Sequence, residues 1–115
     1  MAIKRIEAII RPEMLEPLRI HLEKVGYPGM MITEIKGHGK QRGVDQQWRG
    51  TQFKTYFIPK MRLEIVAGDK LAKKLINAII DVCGSGKIGD GKIFISDVKD
   101  VIRIRTKERG EKAIA

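Results

Sequence analysis

A single cysteine, Cys83, leaves the chain without an internal disulfide, and a reducing compartment is the expectation. Aromatic residues make up 5% of it, too few for the base-stacking platforms of RNA-recognition modules. No apolar run approaches the roughly 20 residues of a membrane span. Met1 to Arg5 leads straight into a strand-like pattern, without the apolar core and cleavage site of a leader. A cytoplasmic protein without membrane insertion is expected. Neither His21 nor His38 has a Cys, His or carboxylate neighbour at metal-ligand spacing, which argues against zinc. No Ser-His-Asp, Cys-His or isolated carboxylate-pair arrangement suggests an enzyme.

What is present suits one soluble α+β domain spanning residues 1–115, with 43% hydrophobic and 32% charged residues. The net charge of +9 fits nucleic acid, an anionic surface or a polyanionic small ligand, and charge alone does not choose among them.

Ile3 to Ile10 has the β-branched content of a strand. Pro12 suits a first helical turn, after which Met14, Leu15, Leu18, Leu22 and Val25 mark one apolar helix face. Gly26 and Pro28-Gly29 end that helix, and Met30 to Lys36 reads as a second strand. From Gly37 to about Thr55 glycines punctuate a polar stretch without a period, the kind of long loop that is usually functional. Met61 to Val66 alternates as a third strand. Asp69 suits the N-cap of a second helix with Leu71, Leu75, Ile76, Ile79 and Val82 on its apolar face. Cys83 near its end reads as a small buried hydrophobe. Lys92 to Ser96 is a fourth strand, Val101 to Arg105 a short fifth, and the tail from Thr106 to Ala115 is polar and loosely ordered. The order is ferredoxin-like, βαββαβ, with a long loop between strands 2 and 3 and a short fifth strand.

Gly84 to Lys92 contains both G-x-G-x-x-G and G-x-x-x-x-G-K spacings. Each has its phosphate-binding mechanics only where a strand enters the loop and a helix leaves it. Here a helix enters and a strand leaves, and Ile93 stands where a P-loop needs Ser or Thr. Neither motif applies. Close glycines still let backbone N–H groups approach an anion, with Lys87 and Lys92 alongside. A glycine-rich turn carrying solvated lysines is the plain alternative. Arg103 and Arg105, two apart on the last strand, would share one face and suit phosphate oxygens, or serve as a solvated basic edge.

Five segments resemble the PII nitrogen-regulatory family, in register over almost the whole chain. They are Gly86-Lys87-Ile88-Gly89-Asp90-Gly91-Lys92-Ile93-Phe94, Val101 to Thr106, Ile6 to Pro12, Thr33 to Gln41, and Pro59-Lys60. The resemblance implies a homotrimer that binds ATP or ADP in clefts between subunits and regulates targets without catalysis. It implies that Gly89, Asp90, Gly91 and Lys92 form the turn around the nucleotide, that Arg103 and Arg105 hold its phosphates, and that Gly37 and Gly39 line the same cleft. It also implies 2-oxoglutarate bound through Mg2+, with Gln41 on the metal and ligand and Lys60 on the distal carboxylate. Met31 replaces a threonine that many members offer to the nucleotide, and a thioether cannot donate that hydrogen bond.

The stretch at about 37–57 corresponds to the family's T-loop, which docks onto targets. Arg42, Trp48, Arg49, Thr51 and Phe53 are its candidate contact residues, while Tyr56 and Phe57 suit the start of the third strand. Phe53 stands where many members carry a modifiable tyrosine, so uridylylation or adenylylation of a phenolic oxygen is excluded there. Thr51 takes the place of a serine phosphorylated in some lineages. An ammonium-transport channel, a nitrogen-metabolism enzyme and a transcriptional regulator are family precedents for the target. A nucleic-acid-binding module of the same fold is the alternative that the basic charge suggests, and Phe94 is nearly alone among inner-strand aromatics to serve it.

Overall fold

The computed structural model describes residues 2–38, 44–48, 51–55 and 57–115. Strand β1 (Ile3–Ile10) leads through a 3-10 turn at Pro12–Met14 into helix α1 (Leu15–Val25), followed by β2 (Met31–Gly37). A ribbon of β3 (Val44–Trp48) and β4 (Thr51–Thr55) precedes β5 (Ile58–Gly68), α2 (Asp69–Cys83) and β6 (Lys92–Val98). A second 3-10 turn, Gly110–Ala113, lies near the end. The main sheet has the order β2-β5-β1-β6 and is antiparallel throughout. This is the expected ferredoxin-like α+β arrangement.

Alternation along β1 puts Ile6, Ala8 and Ile10 against the helices, where they meet Leu63, Ile65 and Ala67 of β5. Leu18 and Leu22 of α1, with Ala72, Leu75, Ala78 and Ile79 of α2, close this core. The core side of α1 is the one its spacing predicts. On α2 the alanines and Cys83 join the predicted leucines and isoleucines. Gly26, at φ +89°, ends α1 in the left-handed conformation. Among the described residues no helix is long and apolar enough to cross a membrane.

Four details depart from the sequence reading. The stretch read as a long loop contains the β3–β4 ribbon, with Val44 opposite Thr55 and Trp48 opposite Thr51. The signal was the strand formers Thr51, Phe53 and Thr55 beyond Gly50. Gly68, not Asp69, is the N-cap of α2, and the Asp69 amide donates to the Ala2 carbonyl oxygen at 3.1 Å. The expected fifth strand reduces to a single bridge between Ile102 and Arg109, because the chain reverses at once. In that reversal the Arg103 amide donates to Glu108 O and the Lys107 amide to Arg103 O, with Lys107 at φ +63°. Finally, the tail is seated rather than loose, with Ala113 buried.

Candidate functional site

Where β2 ends and β5 and β6 begin, the sheet face opposite the helices opens into a cleft of about 550 Å3. Gly37 and His38 form one side of it, Ile58 and Lys60 the next, and Ile88, Gly89, Gly91, Lys92 and Phe94 the far wall. Ile9 supplies part of the floor. The register explains the gathering: Gly37 lies opposite Ile58 on β5, and Ile9 of β1 lies opposite Lys92 of β6. Residues of one parity on the four adjacent strands share a face.

The wall depends on the turn between α2 and β6. The Asp90 carboxylate is its hub, accepting from the Ser85 hydroxyl at 2.5 Å, the Ser85 amide at 2.7 Å and the Gly86 amide at 2.9 Å. Arg11, at the end of β1, completes the hub with an ion pair to Asp90. Its second terminal nitrogen donates to the Ile88 carbonyl oxygen at 2.9 Å. The Ser85 hydroxyl, the Ser85 amide, Arg11 and the Gly86 amide together hold the Asp90 carboxyl well below the usual carboxylate range. Gly91, at φ +102°, crosses directly over the Ile9 carbonyl oxygen, where a Cβ would overlap it.

Lys60 is the buried charged group of the described residues, 9% exposed, and its ammonium donates to the Gly89 carbonyl oxygen at 2.8 Å. Burial and, secondarily, the Arg11 charge lower its pKa, against the opposing pull of Glu13 and Asp90. The His38 ring lies 5.6 Å from that of Phe57, which precedes β5 and is exposed. Among the described residues no group of three or more His, Cys, Asp or Glu is placed to hold a metal.

The structure therefore brings Gly37, Lys60, Gly89, Gly91 and Lys92 to one cleft. Asp90 lies in the same turn with its carboxylate engaged by that turn. Arg103 and Arg105 do not line the cleft, nor do they share a strand face, since the strand carrying them is absent. Arg103 donates instead to the Glu108 carboxylate at 2.7 Å, and Arg105 is exposed. Gly39, Gln41, Arg42 and Arg49 lie outside the described residues, as does Tyr56. Trp48, Thr51 and Phe53 fall on the β3–β4 ribbon. Two contributors escaped the sequence reading. Arg11 stood in view just before Pro12, and His38 between Gly37 and Gly39, but only the fold shows what each touches.

The nitrogen regulatory protein P-II family model matches residues 3–108. The chain belongs to this family. A P-II protein of Pasteurella multocida is 48% identical over 111 residues, covering 96% of this chain and 99% of that relative. Among solved structures, a Bacillus subtilis GlnK–ATP complex superposes with a TM-score of 0.78 at 26% identity, covering 97% of each chain. An Arabidopsis thaliana PII bound to citrate gives a TM-score of 0.78 at 37% identity, covering 97% of this chain and 92% of that one. In this chain the P-II fold carries the cleft described above, with glycine backbone and two lysines on its walls.

Proposed function

We propose that this P-II protein is a non-enzymatic sensor of nitrogen, carbon and energy status, binding ATP or ADP and 2-oxoglutarate. The observation that carries the reading is the convergence of Gly37, Lys60, Gly89, Gly91 and Lys92 on one cleft. Glycine backbone admits close approach by a ligand, and the two lysines suit an anion. The ATP-bound and citrate-bound relatives are the same kind of pairing: a polyphosphate in one, a polycarboxylate in the other.

In this reading Gly37, Gly39, Gly89, Gly91 and Lys92 hold the nucleotide, and Asp90 shapes the turn that presents them. Arg103 and Arg105 reach the phosphates from a neighbouring subunit, because those of the same chain stand outside the cleft. That requires an oligomer with inter-subunit sites, and the homotrimer that the family resemblance implies supplies them. The exposed apolar residues Met31 and Ile32 on the β2 edge, and Phe94 and Ile95 on the β6 edge, suit burial between copies. Lys60 pairs with the distal carboxylate of 2-oxoglutarate. Mg2+ would be held by ligand oxygens together with Gln41, as befits a hard cation, since the described residues offer it no carboxylate cluster. The β3–β4 ribbon belongs to the T-loop. Ligand-dependent placement of Arg42, Trp48, Arg49, Thr51 and Phe53 would be what a target reads, as a population shift. With Phe53 in place of tyrosine, regulation proceeds without uridylylation.

The test is calorimetric titration with ATP and magnesium, with and without 2-oxoglutarate. Binding of 2-oxoglutarate that depends on ATP is the expected result. ATP binding indifferent to 2-oxoglutarate would remove the roles of Gln41 and Lys60, and no nucleotide binding would overturn the reading.

A further inference from the structure

The Arg103 guanidinium, assigned to phosphate in the proposal above, is already engaged through both terminal nitrogens. One terminal nitrogen donates to the Glu108 carboxylate at 2.7 Å, and the other to the backbone oxygens of Lys112, at 2.8 Å, and Ala115. The two terminal nitrogens form one of the forks with which arginine grips a phosphate, the end-on one. The tail that supplies the acceptors is held by contacts of its own. Arg109 pairs with Asp100 at 2.9 Å, the Gly110 amide donates to Val101 O at 3.0 Å, and Ala113 is buried. The Glu111 carboxylate fills the space that a side chain at Gly68 would take, at the N-terminal end of α2 where a negative charge is favoured.

We infer that the segment from Glu108 to Ala115 is a latch that competes with nucleotide phosphates for Arg103. This rests on the nucleotide reading and adds an internal competitor to it. When the tail is seated, a carboxylate and two backbone oxygens mimic the acceptors of a phosphate group. When a phosphate takes Arg103, Glu108 and the tail must let go. Binding at the cleft is thereby linked to release of the last residues, and anything that holds the tail in place weakens nucleotide affinity by mass action.

The latch is tested in the full-length protein with ATP as the probe, comparing wild type, Glu108→Gln, Glu111→Ala and Arg103→Ala by calorimetry. Glu108→Gln removes the competing charge from a partly exposed pair and should tighten ATP binding by about two- to fivefold. Glu111→Ala loosens the tail without touching Arg103 and should shift affinity in the same direction. Amide hydrogen exchange at Lys112 to Ala115 should quicken on saturation with ATP. If Arg103→Ala loses affinity while the two glutamate variants bind as wild type does, the latch is refuted and the nucleotide site stands. Slower exchange of the tail in the presence of ATP also refutes it, since the tail would then close over the ligand. If Arg103→Ala binds ATP as wild type does, the phosphate role of Arg103 fails, and the latch fails with it.

Discussion

Gly91 passes so close over Ile9 that a β-carbon on it would overlap the Ile9 carbonyl oxygen, and its φ of +102° is itself a glycine conformation. The head of β6 is thereby held against the end of β1, where the cleft has its floor. Gly91→Ala should lower stability by on the order of 2–4 kcal/mol, combining left-handed strain with the overlap. Nucleotide affinity should fall with it. Thermal unfolding checks the first effect, and an unchanged midpoint would contradict the close approach.

Asp90 makes the protein acid-sensitive in a defined window. Its folded pKa is depressed, so its contribution to stability is fully present above the unfolded value of about 4 and is lost as pH falls towards the folded value. Asp90→Asn should be less stable than wild type at neutral pH, and the difference should narrow as pH falls below about 4. Denaturant melts at several pH values measure this directly. A difference that stays constant with pH would mean that Asp90 acts through shape and not charge.

Three substitutions should separate the two ligands. Lys92→Ala is expected to reduce ATP affinity by tenfold or more, about 1.4 kcal/mol at the least. Lys60→Met and Gln41→Ala should instead lose 2-oxoglutarate while keeping much of the ATP affinity. The same calorimetric titrations read all three. Loss of ATP binding in Lys60→Met with the fold intact would place Lys60 on the nucleotide instead.

Cys83 lies buried at the end of α2, and burial pushes its thiol up to about 11. It should therefore resist thiol reagents at neutral pH in the folded state and react freely on unfolding. Labelling rates across a denaturant series should follow global unfolding. Rapid labelling of the native protein would show that the α2–β6 turn opens locally.

The pairing of the apolar pattern with the elements was legible in the chain itself. Leu18 and Leu22, or Ile6, Ala8 and Ile10, repeat at the period of the structure they occupy, and burial of one face leaves little freedom over which side turns inward. The glycine-rich turn was legible too, because Gly89 and Gly91 take a backbone conformation that other residues rarely adopt. The ordered motifs carried the family, since several matches in one register constrain the fold far more than any single one.

Tertiary structure alone decided what those residues meet. Arg103 and Arg105 read as a basic strand face, yet an alternating run becomes a strand only where an open sheet edge pairs with it, and here a tight reversal and Glu108 claim the backbone and the guanidinium first. Nothing in its local sequence marks Lys60 as more than a polar residue flanking a loop, and only the register of β5 beside the turn at Gly89 buried it. Arg11 and Asp90 are 79 positions apart, a separation across which periodicity carries no information. Local spacing determines which face a side chain takes. Which partner waits there depends on how the faces are brought together, and that is settled by packing of the whole sheet.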